Sequence, residues 1–220
     1  MKILTLSNVS YSYPKTDKKV LKNINADFEI GKMYAIMGKS GAGKTTLLSL
    51  ISGLDICKDG EVLFNGQDIK EINRDRYRSQ SIGVVFQSYN LLTNATALEN
   101  IVLSMSISRE KTKDKSSAAY ALLEKVGINL EAAKRSTLKL SGGEQQRVSI
   151  ARAISHNPDI VIADEPTGNL DDETEKSIMD ILSKIAKQDN KCVIIVTHSK
   201  KVAGYADTIF SISNNGLIPR

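Results

Sequence analysis

The sequence predicts an α/β fold: a mostly parallel sheet built around a glycine-rich loop, an antiparallel β layer at the N-terminus, and a helical insertion. Three observations carry that expectation. Apolar and polar residues alternate strictly near the N-terminus. A short all-apolar run ends in GKSGAGKT and is followed by a helix pattern. Strand signals then vanish between Gln87 and Ser155.

The elements follow in order. Ile24, Ala26, Phe28 and Ile30 alternate with Asn23, Asn25, Asp27 and Glu29, the period of a half-buried antiparallel strand. Residues 3–13 supply its partner strand, and residues 14–19 the polar connection between them. Residues 33–37 form the apolar run; feeding a glycine loop and a helix over 44–52, it reads as a buried parallel strand. Residues 81–86, 160–163 and 193–196 are strands of the same kind. Helices are predicted over 98–107 and 117–126, and a third after residue 141. Ile178, Ile181, Leu182 and Ile185 repeat at helical spacing behind Asp171, Asp172 and Glu173, whose charges suit a helix N-terminus. The expected organisation is a single domain over 1–220, with a core of 1–87 and 156–220 and a helical part of 88–155. No internal repeat or low-complexity linker divides it.

Composition narrows the function classes. The 220 residues are 41% hydrophobic and 25% charged, the balance of an ordinary globular protein. No run approaches the roughly 18 apolar residues that span a bilayer. The first residues, MKILTLSNVSYSY, alternate where a secretion signal would be uniformly apolar, so a cytoplasmic location is expected. Cys57 and Cys192 lack metal-ligand spacing and read as reduced thiols, buried or semi-buried. The net charge of +5 does not point to nucleic acid, because the lysines are scattered. The one cluster, residues 109–115, has no interleaved aromatics and reads as a solvated loop.

The loop GKSGAGKT comprises Gly38, Lys39, Ser40, Gly41, Ala42, Gly43, Lys44 and Thr45. Its glycines let backbone N–H groups face phosphates, and the following helix adds its positive end. LSGGEQQR stands at 140–147, and IVIADEP, an acidic strand end, at 160–166. In this order the three motifs resemble the ATP-binding cassette (ABC) ATPases, the motors of membrane transporters, and the resemblance covers essentially the whole chain. It implies an ABC cassette fold, ATP and Mg²⁺ as ligands, and a role for each matching residue. Lys44 would contact the β- and γ-phosphates, Thr46 would add a phosphate hydrogen bond, and Thr45 and Asp164 would hold Mg²⁺. Glu165 would polarise the attacking water as general base. Gln87, in VVFQSYNLL, would touch Mg²⁺ and that water, and His198, in VIIVTHS, the γ-phosphate. Tyr13, before Pro14, would stack on adenine; Tyr11, two residues away on the same strand face, is the alternative. His156 has no such counterpart and reads as a helix-end or turn residue.

Ser141, Gly142 and Gly143 open a helix and so form a second anion-binding terminus. One ATP needs one phosphate loop, which is already present. The resemblance implies head-to-tail dimerisation, expected here as a homodimer, with each Ser141–Gly143 segment closing on the other chain's ATP. Asp171, in Asn169-Leu170-Asp171, would cross that interface. LSGGEQQR, ADEPTGNLD and FQSYNLL followed by ALEN are similar to the branch of macrolide exporters, lipoprotein-releasing ATPases, cell-division ATPases and peptide-antibiotic-resistance ATPases. Lys39 departs mildly, since relatives often carry Pro or a small residue there. The implied protein is the ATP-hydrolysing subunit of a transporter, exporting or extracting peptide, lipoprotein or antibiotic-like substrates. It would sit at the inner membrane face through a permease received around residues 88–107. The alternative is a non-transporting mechanotransmission ATPase. DNA-repair and translation relatives need a long coiled coil or two cassettes, and this chain has neither.

Overall fold

Two sheets share the strands of this chain. The computed structural model describes residues 1–14, 16, 19–109 and 111–220. The expected connection over 14–19 lies outside the described residues at Lys15, Asp17 and Lys18, and the expected loop over 109–115 does so at Glu110.

The elements are β1 (Lys2–Ser12), β2 (Lys19–Glu29), β3 (Met33–Met37), α1 (Lys44–Ile51), β4 (Asp59–Phe64), β5 (Gln67–Asp68), α2 (Arg74–Gln80) and β6 (Ile82–Val85). They continue with α3 (Ala97–Ile107), α4 (Lys115–Lys125), α5 (Leu130–Ala133), a 3-10 turn (Thr137–Lys139), α6 (Gly142–Ile154), β7 (Ile160–Asp164) and α7 (Asp172–Lys187). The last are β8 (Cys192–Thr197), α8 (Lys200–Ala203), β9 (Thr208–Ser213) and β10 (Gly216–Pro219).

The alternating segment becomes β2, paired antiparallel with β1 in a four-stranded sheet ordered β2-β1-β4-β5. The apolar runs become the interior of a six-stranded sheet ordered β10-β9-β3-β8-β7-β6. From β9 to β6 its neighbours are parallel, and β10 closes the edge as an antiparallel hairpin. Both faces are covered. Val161, Ala163, Val193 and Ile195 point into a core shared with α3, α4, α6 and α7. Ile160, Ile162, Ile194 and Val196 point the other way, into a core shared with α1, β1 and β2. Strands buried on both faces have no polar side to show, which is why these runs read as continuously apolar.

Between Gln87 and Ser155 the described residues carry helices and no strand, apart from an isolated bridge pairing Thr96 with Ser136. Helix α7 buries Ile178, Met179, Leu182 and Ile185, each contributing about 1.5–3 kcal/mol through burial. Asp171 caps it by accepting from Thr174 N–H. Cys57 and Cys192 are free and buried, and burial pushes the Cys192 thiol up to about 12. No helix among the described residues is long and apolar enough to cross a membrane.

Candidate active site

The phosphate loop leaves the C-terminal end of β3, a central strand buried along its length. In open parallel sheets this edge is where ligands bind. Gly43 caps α1 at φ 103° with no side-chain hydrogen bond, so the helix's first amides are left for a ligand. A Cβ at Gly43 would meet Leu21 Cδ2 at 3.0 Å and the Val20 carbonyl at 3.3 Å, so only glycine fits this left-handed position. Gly41, at φ 75°, has nothing within 4 Å of a Cβ position, leaving its backbone open to approach. Lys44 Nζ donates to the carbonyls of Gly38 (2.8 Å) and Lys39 (3.1 Å), which hold the ammonium against the loop. An open cleft of about 580 Å³ joins Gly38, Lys39 and Ala42 to His198. Ser40 and Thr45 are exposed on the same loop.

The acidic pair ends β7, two strands from β3. Burial, with the adjacent Glu165 charge, pushes Asp164 up, while Lys44 pulls it down. A part-buried carboxylate pushed up in this way favours an added cation. The donor set of a hydroxyl (Thr45), an amide (Gln87) and one carboxylate suits Mg²⁺, which completes its shell with phosphate oxygens and water. No group of three or more His, Cys, Asp or Glu among the described residues could hold a metal by itself.

Glu165 leaves the strand at φ 46°, a conformation uncommon for a side-chain-bearing residue. Its N–H donates to the Val196 carbonyl of β8 at 2.9 Å, fixing the turn. Its carboxylate is thereby brought to the end of β8, where Oε1 lies 2.9 Å from His198 Nδ1 and Oε2 accepts from Thr197 Oγ1 at 3.3 Å. His198 is 76% exposed by side chain, Glu165 only 17%. Gln87 belongs to the same cluster. A Cβ on Gly168 would lie 2.8 Å from Gln87 Nε2, so the amide packs directly on the turn that follows Glu165.

The two tyrosines do not share one environment. Strand β1 ends at Ser12, and its pairing with β2 is irregular between Tyr11 and Ser12, which breaks the simple alternation. Tyr11 is 5% exposed and donates to Asp55; Tyr13 is 47% exposed, with its hydroxyl 2.8 Å from Thr46 Oγ1. The rings meet edge to face at 5.3 Å. Only Tyr13 offers an open face beside the phosphate loop. His156 lies in a turn after α6 with Nε2 3.1 Å from the Ile82 carbonyl.

Ser141 caps α6 in a capping box. Its Oγ accepts Glu144 N–H at 3.2 Å, while Glu144 accepts Ser141 N–H at 2.8 Å. A Cβ on Gly142 would meet the Tyr89 hydroxyl at 2.9 Å, and one on Gly143 would meet Thr174 Cγ2 at 2.6 Å, so both glycines serve close packing. Among the described residues no hydrogen bond joins this helix start to the loop of Gly38–Thr45. Glu165, Gln87 and His198 gather around the turn after β7, with Lys44 acting on the adjacent Asp164, while Gly142 and Gly143 pack against Tyr89 and Thr174. Asp171 is committed within its own chain, accepting from Thr174.

Sequence reasoning did not find Thr197, Asp55, Tyr89 or Arg152. Arg152 left a faint signal, a charge inside an otherwise small and apolar stretch; the others left none.

A phosphate loop at the end of a central parallel strand, with an acidic pair two strands away, defines a P-loop nucleotide-binding protein. The ABC transporter family pattern matches residues 21–168. The "Uncharacterized ABC transporter ATP-binding protein YclH" of Bacillus subtilis (strain 168) is 44% identical, over 99% of this chain and 96% of its own length. The lipoprotein-releasing system ATP-binding protein LolD of Francisella tularensis subsp. tularensis (strain FSC 198) is 39% identical over 98% and 95%. A dimeric structure of MJ0796, a bacterial ABC transporter cassette, superposes with a TM-score of 0.88 at 34% identity, over 98% of this chain and 96% of that one. A dimeric post-hydrolysis state of the same cassette, bound to ADP and Pi, gives 0.89 at 33% identity over 99% and 98%. This chain belongs to the ABC transporter family, as an ATP-binding, ATP-hydrolysing subunit, and lies close to its lipoprotein-releasing relatives.

Proposed function

We propose that the protein works as a head-to-tail homodimer, in which each phosphate loop is completed by the other chain's Ser141–Gly143 segment. The two dimeric structures of the similar cassette MJ0796 carry this reading, and Ser141 opens a second helix N-terminus besides the one behind the phosphate loop. In it residues 1–220 form one nucleotide-binding domain, with a core of 1–87 and 156–220 and a helical part of 88–155. The amides of residues 38–45 and Lys44 hold the β- and γ-phosphates, Thr46 adds a hydrogen bond, and Tyr13 stacks on adenine once its hydroxyl leaves Thr46. Thr45, Asp164 and Gln87 are the residues that would hold Mg²⁺. Bound there, the ion would neutralise phosphate charge.

Glu165 accepts a proton from the attacking water at a carboxylate oxygen. His198 and Thr197, each in contact with one oxygen of that carboxylate, orient it; His198, the more exposed, is free to turn to the γ-phosphate. Gln87, against Gly168, orients the water from the other side.

The docking groove for a membrane permease is a depression of about 350 Å³ lined by Leu92, Leu103 and Ile107 with Arg78, Arg152 and His156. Leu92, Leu103 and Ile107 are large apolar residues left 50%, 44% and 67% exposed. Through that partner the protein sits at the cytoplasmic membrane face. Its cargo is peptide, lipoprotein or antibiotic-like, exported or extracted; the lipoprotein-releasing relatives support the lipoprotein reading.

The test is Glu165→Gln. Turnover of ATP is expected to fall at least ~100-fold with binding retained, because the attacking water loses its base. The ATP-bound variant is expected to accumulate as a dimer on size exclusion. Near-normal turnover removes Glu165 from the base role.

A further inference from the structure

Helix α6 carries Arg152 between two buried alanines, Ala151 and Ala153, in its last turn. Arginine side chains on a helix run back toward its N-terminus. Here the guanidinium leaves its own helix and donates to the carbonyls of Tyr89 (3.0 Å) and Asn90. Those two residues follow Gln87 closely and both stand in the left-handed region, at φ 60° and 50°. Two successive left-handed residues keep their carbonyls on one side, where a planar two-pronged donor can take both. For tyrosine that backbone is sparsely populated and needs something to hold it.

The segment is fixed at two further points. The Tyr89 hydroxyl lies against Gly142 at the start of α6. Asn100 of α3 brackets Leu92, accepting its N–H at 2.9 Å and donating to its carbonyl at 3.2 Å. Arg152 also lines the groove described above, together with Asn90 and Leu92. One side chain thus touches the groove, the segment leading from Gln87, and the helix that Ser141 opens.

We propose that Arg152 is a positioning residue that locks residues 88–92 onto α6, so that Gln87 and Ser141 move as one unit. This rests on the reading that Gln87 serves its own chain's nucleotide and Ser141 the partner chain's. Contact at the groove then reaches both half-sites through a single guanidinium. Removing the fork frees the segment, and the two half-sites lose their common timing.

The test compares Arg152→Met, which keeps length and loses the donors, with Arg152→Lys, which keeps the charge without the fork. Amide hydrogen exchange is followed at residues 87–92 and 141–145 with and without ATP, in a Glu165→Gln background to prevent turnover. Steady-state kinetics use the same changes with Glu165 intact. ATP is expected to protect both segments in the background protein, and Arg152→Met to abolish protection at 87–92 only. In kinetics, kcat is expected to fall about tenfold with KM for ATP within about twofold, and Arg152→Lys to recover part of it. Unchanged protection at 87–92 in Arg152→Met overturns the proposal. So does a loss of kcat accompanied by a higher KM and a lower melting temperature, the pattern of general structural damage. If Arg152→Met does not fold, Arg152→Gln, too short to reach both carbonyls, takes its place: the same selective loss of protection supports the proposal, and none overturns it. Should Gln87→Ala and Ser141→Arg both keep full turnover, the two-half-site reading itself fails, while exchange at 87–92 still reports whether Arg152 holds the segment.

Discussion

Tyr11 and Tyr13 are the same residue type two positions apart, yet they answer to different physics. The Tyr11 phenol is pushed up to about 12, first by its hydrogen bond to Asp55 and then by burial; it is a fixed donor inside the N-terminal core. Tyr13 rests its ring edge to face against Tyr11 and keeps its other face open beside Thr46. Tyr13→Ala is therefore expected to weaken ATP binding by about 1 kcal/mol, the scale of one aromatic stack, as read by calorimetry. Tyr11→Ala is expected to leave ATP affinity nearly intact and to lower unfolding free energy by about 3 kcal/mol in denaturant titration. The reverse order would move the adenine platform to Tyr11. The sequence placed both tyrosines at this site but left them on one strand face. Which one is buried goes with a pairing irregularity against β2, whose Leu21 faces Tyr11 from ten residues further along the chain. Glu165 is a similar case. Its identity was legible, whereas its left-handed turn and its partners His198 and Thr197 arise from a neighbouring strand.

Helix α6 shows how one element combines stability with the proposed site. Its N-terminus is closed by Ser141 and Glu144, and the backbone N–H of Ser141 holds the Glu144 carboxyl below its usual value of 4.5. A carboxylate whose folded pKa is lowered stabilises the fold above its unfolded pKa and loses that contribution as pH falls through the folded one. Glu144→Ala is expected to cost about 1 kcal/mol of stability near neutral pH, the scale of a lost helix cap. The difference from the parent should shrink as denaturant titrations are repeated progressively below pH 4.5. Glu144→Gln keeps an acceptor and should lose less. A pH-independent penalty in Glu144→Ala would mean that packing, not the cap, is what Glu144 supplies. Elements with strong periodicity were legible in advance: β2, β3, β7, β8, α3, α4 and α7 all fall where the pattern put them, within a few residues. Strands β4, β5, β9 and β10, with helices α2, α5 and α8, left no such expectation. They are short, or lie toward sheet edges, and hold their shape through pairing with neighbours more than through pattern of their own.

At the scale of the whole molecule the proposed trans arrangement makes a quantitative demand. Ser141→Arg and Lys44→Ala chains should each be nearly inactive alone. In a mixed dimer the intact phosphate loop of the first meets the intact helix start of the second, while the other site carries both lesions. Random mixing makes about half the dimers mixed, each with one good site of two, so independent sites recover about a quarter of parental activity. Strict coupling gives less, and a site built within one chain gains nothing. Absence of recovery, where mixed dimers are shown to form and the unmodified chain retains activity when mixed with either variant, would sink the arrangement. The assay belongs at high protein concentration, where association is favoured.

The sequence by itself determined the fold class and the chemistry. A phosphate loop needs glycines that free backbone amides, a parallel strand buried on both faces needs an unbroken apolar run, and the base role proposed for Glu165 needs a carboxylate, so each is legible as a residue type in the sequence. Tertiary structure alone decided how they meet. The β8 carbonyl of Val196 turns Glu165 toward His198, a missing Cβ at Gly168 seats Gln87, and Arg152 reaches across to the carbonyls of Tyr89 and Asn90. Such contacts join residues about 30 to 80 positions apart, and the carbonyls of Val196, Tyr89 and Asn90 are backbone atoms that every residue carries and that leave no mark on the sequence.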